Sequence, residues 1–170
     1  MSILKNAFIA APLLGVALTG AATAEPHRET SIPLEWALAA AVTASQTCAD
    51  MGFATTVTVV DQRAQPRVQL VREGAFPHSV ETSRRKAVTA ASRREATVLI
   101  EEENAHEPTI GAVFNAIGLI TLSGGVPIYY GDEVIGGIGV GGAPGEAENG
   151  EEHDDICAAA GIEAIAERLN

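Results

Sequence analysis

The sequence predicts an α+β fold, an antiparallel sheet with helices packed against it. Three observations carry this. Alternating, β-branched stretches come in neighbouring pairs joined by short turns, as hairpins do. Helical periodicity returns between and after those pairs. Two strands, then helices, then further strands and a closing helix is the order of a meandering sheet with helices on its faces.

The elements follow in chain order. Lys5, an apolar run at 7–18 and the small-residue site Ala22-Thr23-Ala24 form the three parts of a secretory signal peptide. The run falls short of the ~20 residues that span a bilayer, so a membrane anchor is the weaker reading. Cleavage after Ala24 divides the chain into a signal peptide at 1–24 and one domain at 25–170, with Glu25 the first mature residue and a periplasmic or secreted location. Residues 33–50 are helical, with Leu34, Leu38, Ala41, Val42, Ser45 and Ala49 on the expected core stripe. Trp36 lies roughly 200° around from Leu34 and is expected on the outside, as an interface residue. Gly52 ends the helix. Residues 55–61 and 67–72 alternate as a hairpin about a turn at 62–65. Pro77 opens a second helix to about residue 92, whose small stripe Val80, Ser83, Ala87 and Ala90 can approach a sheet closely. A helical piece covers 94–104, and 108–119 reads as loop. Short strands are expected at 120–122, 126–130 and 134–140, and 151–169 is the closing helix.

Composition narrows the partners. The 170 residues carry 22 acids against 11 Lys and Arg, a net charge of −11. Losing 1–24 removes Lys5 and no acid, which takes the charge to −12. So acidic a chain lacks the positive footprint that nucleic acid or an anionic membrane requires, and no membrane association is expected after signal cleavage. Few aromatics and many Ala and Gly predict a core of small, closely packed side chains. Motifs for a nucleophile elbow, a phosphate loop, a zinc helix or a redox Cys pair are not found in the sequence. Gly136-Gly137-Ile138-Gly139 does not lead from strand to helix as a dinucleotide site must. No catalytic residue is assigned.

The last third, SGGVPIYYGDEVIGGIGVGGAPGEAENGEEHDDICAAAGIEAI, is the most informative stretch. A strand rich in β-branched and aromatic residues turns at Gly131-Asp132-Glu133 into a second strand broken by glycines, and an acid-rich loop leads into a helix of small residues. Those glycines mark bulges or close backbone approach. Together these motifs resemble the C-terminal signature of the GlcG/HbpS-type haem-binding (haem-degrading domain) family. The VTVVD strand and the RRKAVTAAS segment stand in the family's order, so the likeness covers nearly the whole mature chain. It departs at Gln65-Pro66-Arg67, where the family has Gly-x-Leu, and in the acidic loop 143–150. The resemblance implies a profilin-like, five-stranded antiparallel sheet flanked by helices, a haem cofactor, and assembly into a homo-oligomer.

Candidate ligand residues are weighed against that implication. His78, at the start of the second helix, is either an axial haem ligand or a partly exposed helix N-terminal residue. His106, in the loop after the helical piece, stands the same way. His27 belongs to the polar leader, and His153 sits among Glu151, Glu152, Asp154 and Asp155, acids that suit a helix N-terminus. Arg84, Arg85, Lys86, Arg93 and Arg94 form a positive island suited to pairing haem propionates, unless they are a solvated helix face balanced by Glu101, Glu102 and Glu103. Arg85 and Lys86 are the members assigned to haem, and reversing either charge is expected to weaken it. No metal ligand is assigned. Three functions remain, in order: an exported haem-binding or haem-handling protein, a binder of another small molecule such as a carboxylate or a sensor accessory, and a haem-degrading enzyme. In the profilin-like arrangement the first and last helices lie antiparallel on one face, which brings Cys48 near Cys157. A disulfide there would close a loop of about 110 residues and stabilise by about 4 to 5 kcal/mol, the alternative being two buried free thiols.

Overall fold

Helix α1 (Leu34–Asp50) starts behind Pro33, whose φ of −62° already matches a helix. The computed structural model describes residues 27–169, so the expected signal segment 1–24 lies outside the described residues. After α1 come a hairpin of β1 (Thr56–Asp61) and β2 (Pro66–Val71), then α2 (Ser79–Arg93), α3 (Thr97–His106) and α4 (Thr109–Ala116). A second hairpin, β3 (Gly125–Tyr130) and β4 (Glu133–Gly141), precedes α5 (His153–Glu163) and a short 3-10 turn at Ala166–Arg168.

The sheet is antiparallel throughout, in the order β2-β1-β4-β3. Among the described residues it has four strands, which corrects the expected five. The missing one is 120–122, which pairs with no strand among the described residues and is held by side chains at Ile120 and at the following Ser123. Ile120 N–H donates to Thr89 Oγ1 (3.0 Å) and Ser123 N–H to Glu101 Oε2 (2.8 Å). The expected loop at 108–119 contains α4. Gly111 hid that helix, and the glycine has a packing reason: a Cβ there would meet Asn104 Oδ1 at 2.7 Å.

Period-two alternation in β1 assigns the two faces of the sheet. Val57 and Val59 face α1 and α5 in the main core, with Ile138, Val140, Cys157 and Ala158. Thr56, Thr58 and Val60 face α2. There Thr56 Oγ1 and Ser79 Oγ stand 2.7 Å apart, and Thr58 Oγ1 and Ser83 Oγ 2.8 Å, so the hydroxyls satisfy each other. Helix α2 sits almost on the backbone of β4. A Cβ at Gly139 would lie 2.2 Å from Ser83 O, and one at Gly137 2.6 Å from Ala87 O. The glycines of β4 thus serve close approach.

The buried face of α1 differs from the expected stripe. Ala37, Ala40, Ala41, Ala44, Ser45 and Cys48 are buried, whereas Leu34, Leu38 and Val42 are 56%, 46% and 52% exposed. Close packing decides this. A Cβ on Gly161 of α5 would stand 2.7 Å from Ala40 O, a spacing only small side chains permit. Trp36 is half-buried, with its ring 6.4 Å from that of Tyr130, so it is not the exposed residue expected. A disulfide joins Cys48 to Cys157, with Cα atoms 5.6 Å apart, and ties the last turns of α1 to the start of α5.

Candidate functional site

Three flanks of α2 do three different things. Ser79, Ser83, Ala87 and Ala90 are buried toward the sheet. Arg85, Thr89 and Arg93, spaced by four, hold the segment from α4 to Ile120. Arg85 donates to Asn115 Oδ1 (2.8 Å), to Gly118 O (3.1 Å) and to Leu119 O, and the Arg93 guanidinium lies 5.6 Å over the Phe114 ring. His78, Thr82 and Lys86, also spaced by four, line a recess of about 310 Å³. Phe76, Leu122 and Pro144 supply its apolar walls, and Gly142 and Asp154 complete it. The His78 ring stacks on Phe76 at 5.6 Å and 16°. Among the described residues no hydrogen bond or ion pair uses its ring nitrogens.

The inner end of the recess is ionic. Lys86 Nζ donates to Asp154 Oδ2 at 2.6 Å, with the two side chains only 6% and 11% exposed. Such a pair repays its desolvation only when the remaining lone pairs are also used, and here Asp154 Oδ1 accepts from Ala143 N–H (3.0 Å). The adjacent Asp155 accepts from Gly124 N–H through Oδ1 (2.7 Å), but its buried Oδ2 has no partner among the described residues. Burial pushes the Asp155 carboxyl up to about 6, with the charges of Asp154 and Glu101 adding and the Gly124 N–H and Lys86 opposing. Glu152 is also raised, first by burial and then by Glu101, Glu146 and Asp154. Asp154 and Asp155 therefore do more than complement the dipole of α5: they pin the loops before β3 and after β4 to its first turn. Their signal in the sequence was masked by Glu151 and Glu152 beside them, since four consecutive-looking acids read as a solvated helix start.

Of the residues assigned to haem from the sequence, His78 and Lys86 meet in this recess. Arg85 points to the other flank of α2, and His106 is exposed on the last turn of α3, away from the lining. The positive island is largely consumed internally: Arg84 makes two hydrogen bonds to Glu81, and Arg93 lies 3.9 Å from Glu95. His153 packs on Phe53 at 4.7 Å, with Nδ1 3.2 Å from Pro144 O. A second recess of about 380 Å³, at the far end of α2, is lined by residues of mixed charge such as Arg28, Glu29, Arg94 and Asp132. It lacks the apolar walls of the first. Among the described residues no group of His, Cys, Asp and Glu is arranged to hold a metal ion.

Residues 32–163 match the family model of the HbpS-like haem degrading protein. The solved structure of a double mutant of Streptomyces reticuli HbpS is 31% identical, with 89% of this chain and 98% of that chain covered at a TM-score of 0.74. Klebsiella pneumoniae ORFY (21% identity, 86% and 98% covered, TM-score 0.70) and PduOC solved as a haem complex (21%, 80% and 96%, 0.70) share the fold. No curated protein matches.

Proposed function

Because this chain belongs to the family of HbpS-like haem degrading proteins, we propose that it is an exported haem-binding protein whose ligand sits in the recess beside the start of α2. The observation that carries the site is the pairing of apolar walls with an unengaged imidazole, His78, at one opening. These residues fit the group. A porphyrin face takes Phe76, Leu122 and Pro144 as contacts, and its iron takes a nitrogen ligand such as His78. When bound, haem supplies an iron centre for redox or oxygen chemistry. The chain's own part is to exclude water with those walls and to hold the imidazole against Phe76. Lys86 is committed to Asp154, so it supports the wall and does not serve as a free cation for a propionate.

Haemin titration followed at the Soret band tests this. The parent is expected to bind at micromolar strength, and His78→Ala about tenfold or more weakly. Arg85→Glu is expected to bind as the parent does, since Arg85 faces α4. Equal binding by His78→Ala and the parent, with the same spectrum, would remove the recess as the site. Loss of the band under reductant, with iron released, would move the reading to haem breakdown.

Export is supported by the signal-like leader and by the disulfide, which forms and persists in oxidising compartments. Glu25 is the expected first residue of protein recovered from outside the cytoplasm. Self-association is proposed with it, through the exposed stripe Leu34, Leu38 and Val42 of α1 against a second copy. Leu38→Glu is expected to sediment as a smaller species, and an unchanged profile would exclude that stripe.

A further inference from the structure

Two loops wall the recess, and both end on the first turn of α5. Leu122 stands two residues before Gly124, which donates to Asp155. Gly142 and Pro144 flank Ala143, which donates to Asp154. The loops also hold each other, since Val140 N–H donates to Gly124 O (2.9 Å). A change at either aspartate is therefore delivered to the walls.

The two aspartates differ in one respect. Asp154 uses both oxygens, while Asp155, only 9% exposed, leaves Oδ2 buried and without a partner among the described residues. The charges facing Asp155 are the Lys86 ammonium from α2, the Glu101 carboxylate from α3, and Asp154 beside it on α5. Glu152 and Glu146, bridged to each other through their backbones, add negative charge close by. One ammonium thus serves several carboxylates, and it is already bonded to Asp154. A lone buried carboxylate oxygen in that company is stabilised most simply by a proton, which converts an unsatisfied acceptor into a donor and removes one negative charge.

We propose that Asp155 is a proton-operated support behind the recess wall, whose protonation strengthens the binding of a carboxylate-bearing ligand. This rests on the reading that the ligand is haem, which carries two propionates. With the proton off, Asp155 holds a negative charge behind the loop that carries Leu122, and that charge repels them. With the proton on, that repulsion falls and the Gly124 bond persists through Oδ1. Burial sets the exchange at about pH 6, within the range an exported protein meets.

Asp155→Asn imitates the protonated form, because the amide keeps an acceptor for Gly124 and adds a donor where the proton would sit. Haemin affinity of parent and variant is compared at pH 7.5 and pH 5.0. The variant is expected to bind about threefold to tenfold more tightly at pH 7.5 and equally at pH 5.0. Any pH effect on haemin itself is common to both proteins and cancels in the ratio. A ratio that does not change with pH would overturn the proposal. Independently, the amide signal of Gly124 in the ligand-free parent is expected to titrate with a midpoint near 6 and to stay still in the variant. A Gly124 amide that does not titrate overturns the proposal whatever haemin does. A titrating amide with no haemin bound at either pH sinks the haem reading and leaves the proton exchange in place.

Discussion

Lys86 shows how one residue can close several accounts at once. It leaves α2 toward α5, and its ammonium meets a carboxylate that also caps the loop after β4. Breaking such a pair from one side leaves a buried charge without compensation, which costs more than the pair gains. Lys86→Met is expected to lose about 3 to 5 kcal/mol of stability in urea unfolding. Lys86→Met with Asp154→Leu is expected to regain a large share of that loss, though not all, since Ala143 N–H then lacks its acceptor. If the double variant is less stable than the single one, the pair is not the source of the loss.

At the level of elements, close approach organises the molecule. Helix α2 lies against glycines of β4, and α1 lies against Gly161 of α5, so small side chains do the packing. Gly139→Ala forces a methyl to within 2.2 Å of a backbone oxygen that cannot swing away. It is expected to cost about 1 to 3 kcal/mol or more and to increase exchange at the α2 amides. An alanine variant as stable as the parent would mean that α2 can lift from the sheet freely. The same packing explains what could be read in advance. The strands β1, β2, β3 and β4 were legible because β-branched and aromatic runs bounded by short turns mark the element, although β1 and β4 are buried on both faces. The face of α1 was not, because a hydrophobic stripe points to Leu34, Leu38 and Val42, whereas an interface this tight selects alanine. Residues 120–122 look like a strand, yet the donors of Ile120 and of the following Ser123 are claimed by Thr89 and Glu101, partners far away in sequence. The site was half legible for a related reason. His78 and Lys86 announce themselves by residue type, but the helix face each occupies depends on where α2 meets the sheet. The roles of Asp154 and Asp155 depend on loops that only the fold brings to them.

For the whole molecule, an acidic protein with buried, raised carboxyl groups should respond to pH in a particular sense. The folded Asp155 carboxyl stands near 6, against an ordinary value of 3.8, and Glu152 is raised as well. Raised acids bind protons more tightly in the folded chain than in the unfolded one. Their contribution to stability is therefore full below the unfolded value and is lost as pH rises through the folded one. Glu29 and Glu81 act in the opposite sense, being lowered by Arg63 and Arg84 respectively, but both pairs are exposed and solvent screens them. The melting temperature is thus expected to be higher at pH 5 than at pH 7.5. General self-repulsion has the same sign, because acidification also relieves the large net negative charge. Salt separates the two. Repulsion between exposed charges is strongly screened at about 0.5 M salt, whereas the desolvation of a buried carboxyl is not. The pH-dependent difference in melting temperature should therefore shrink only in part when salt is added, and the remainder should fall in Asp155→Asn. If salt alone abolishes the difference, net charge accounts for it and the buried carboxyl has no measurable share.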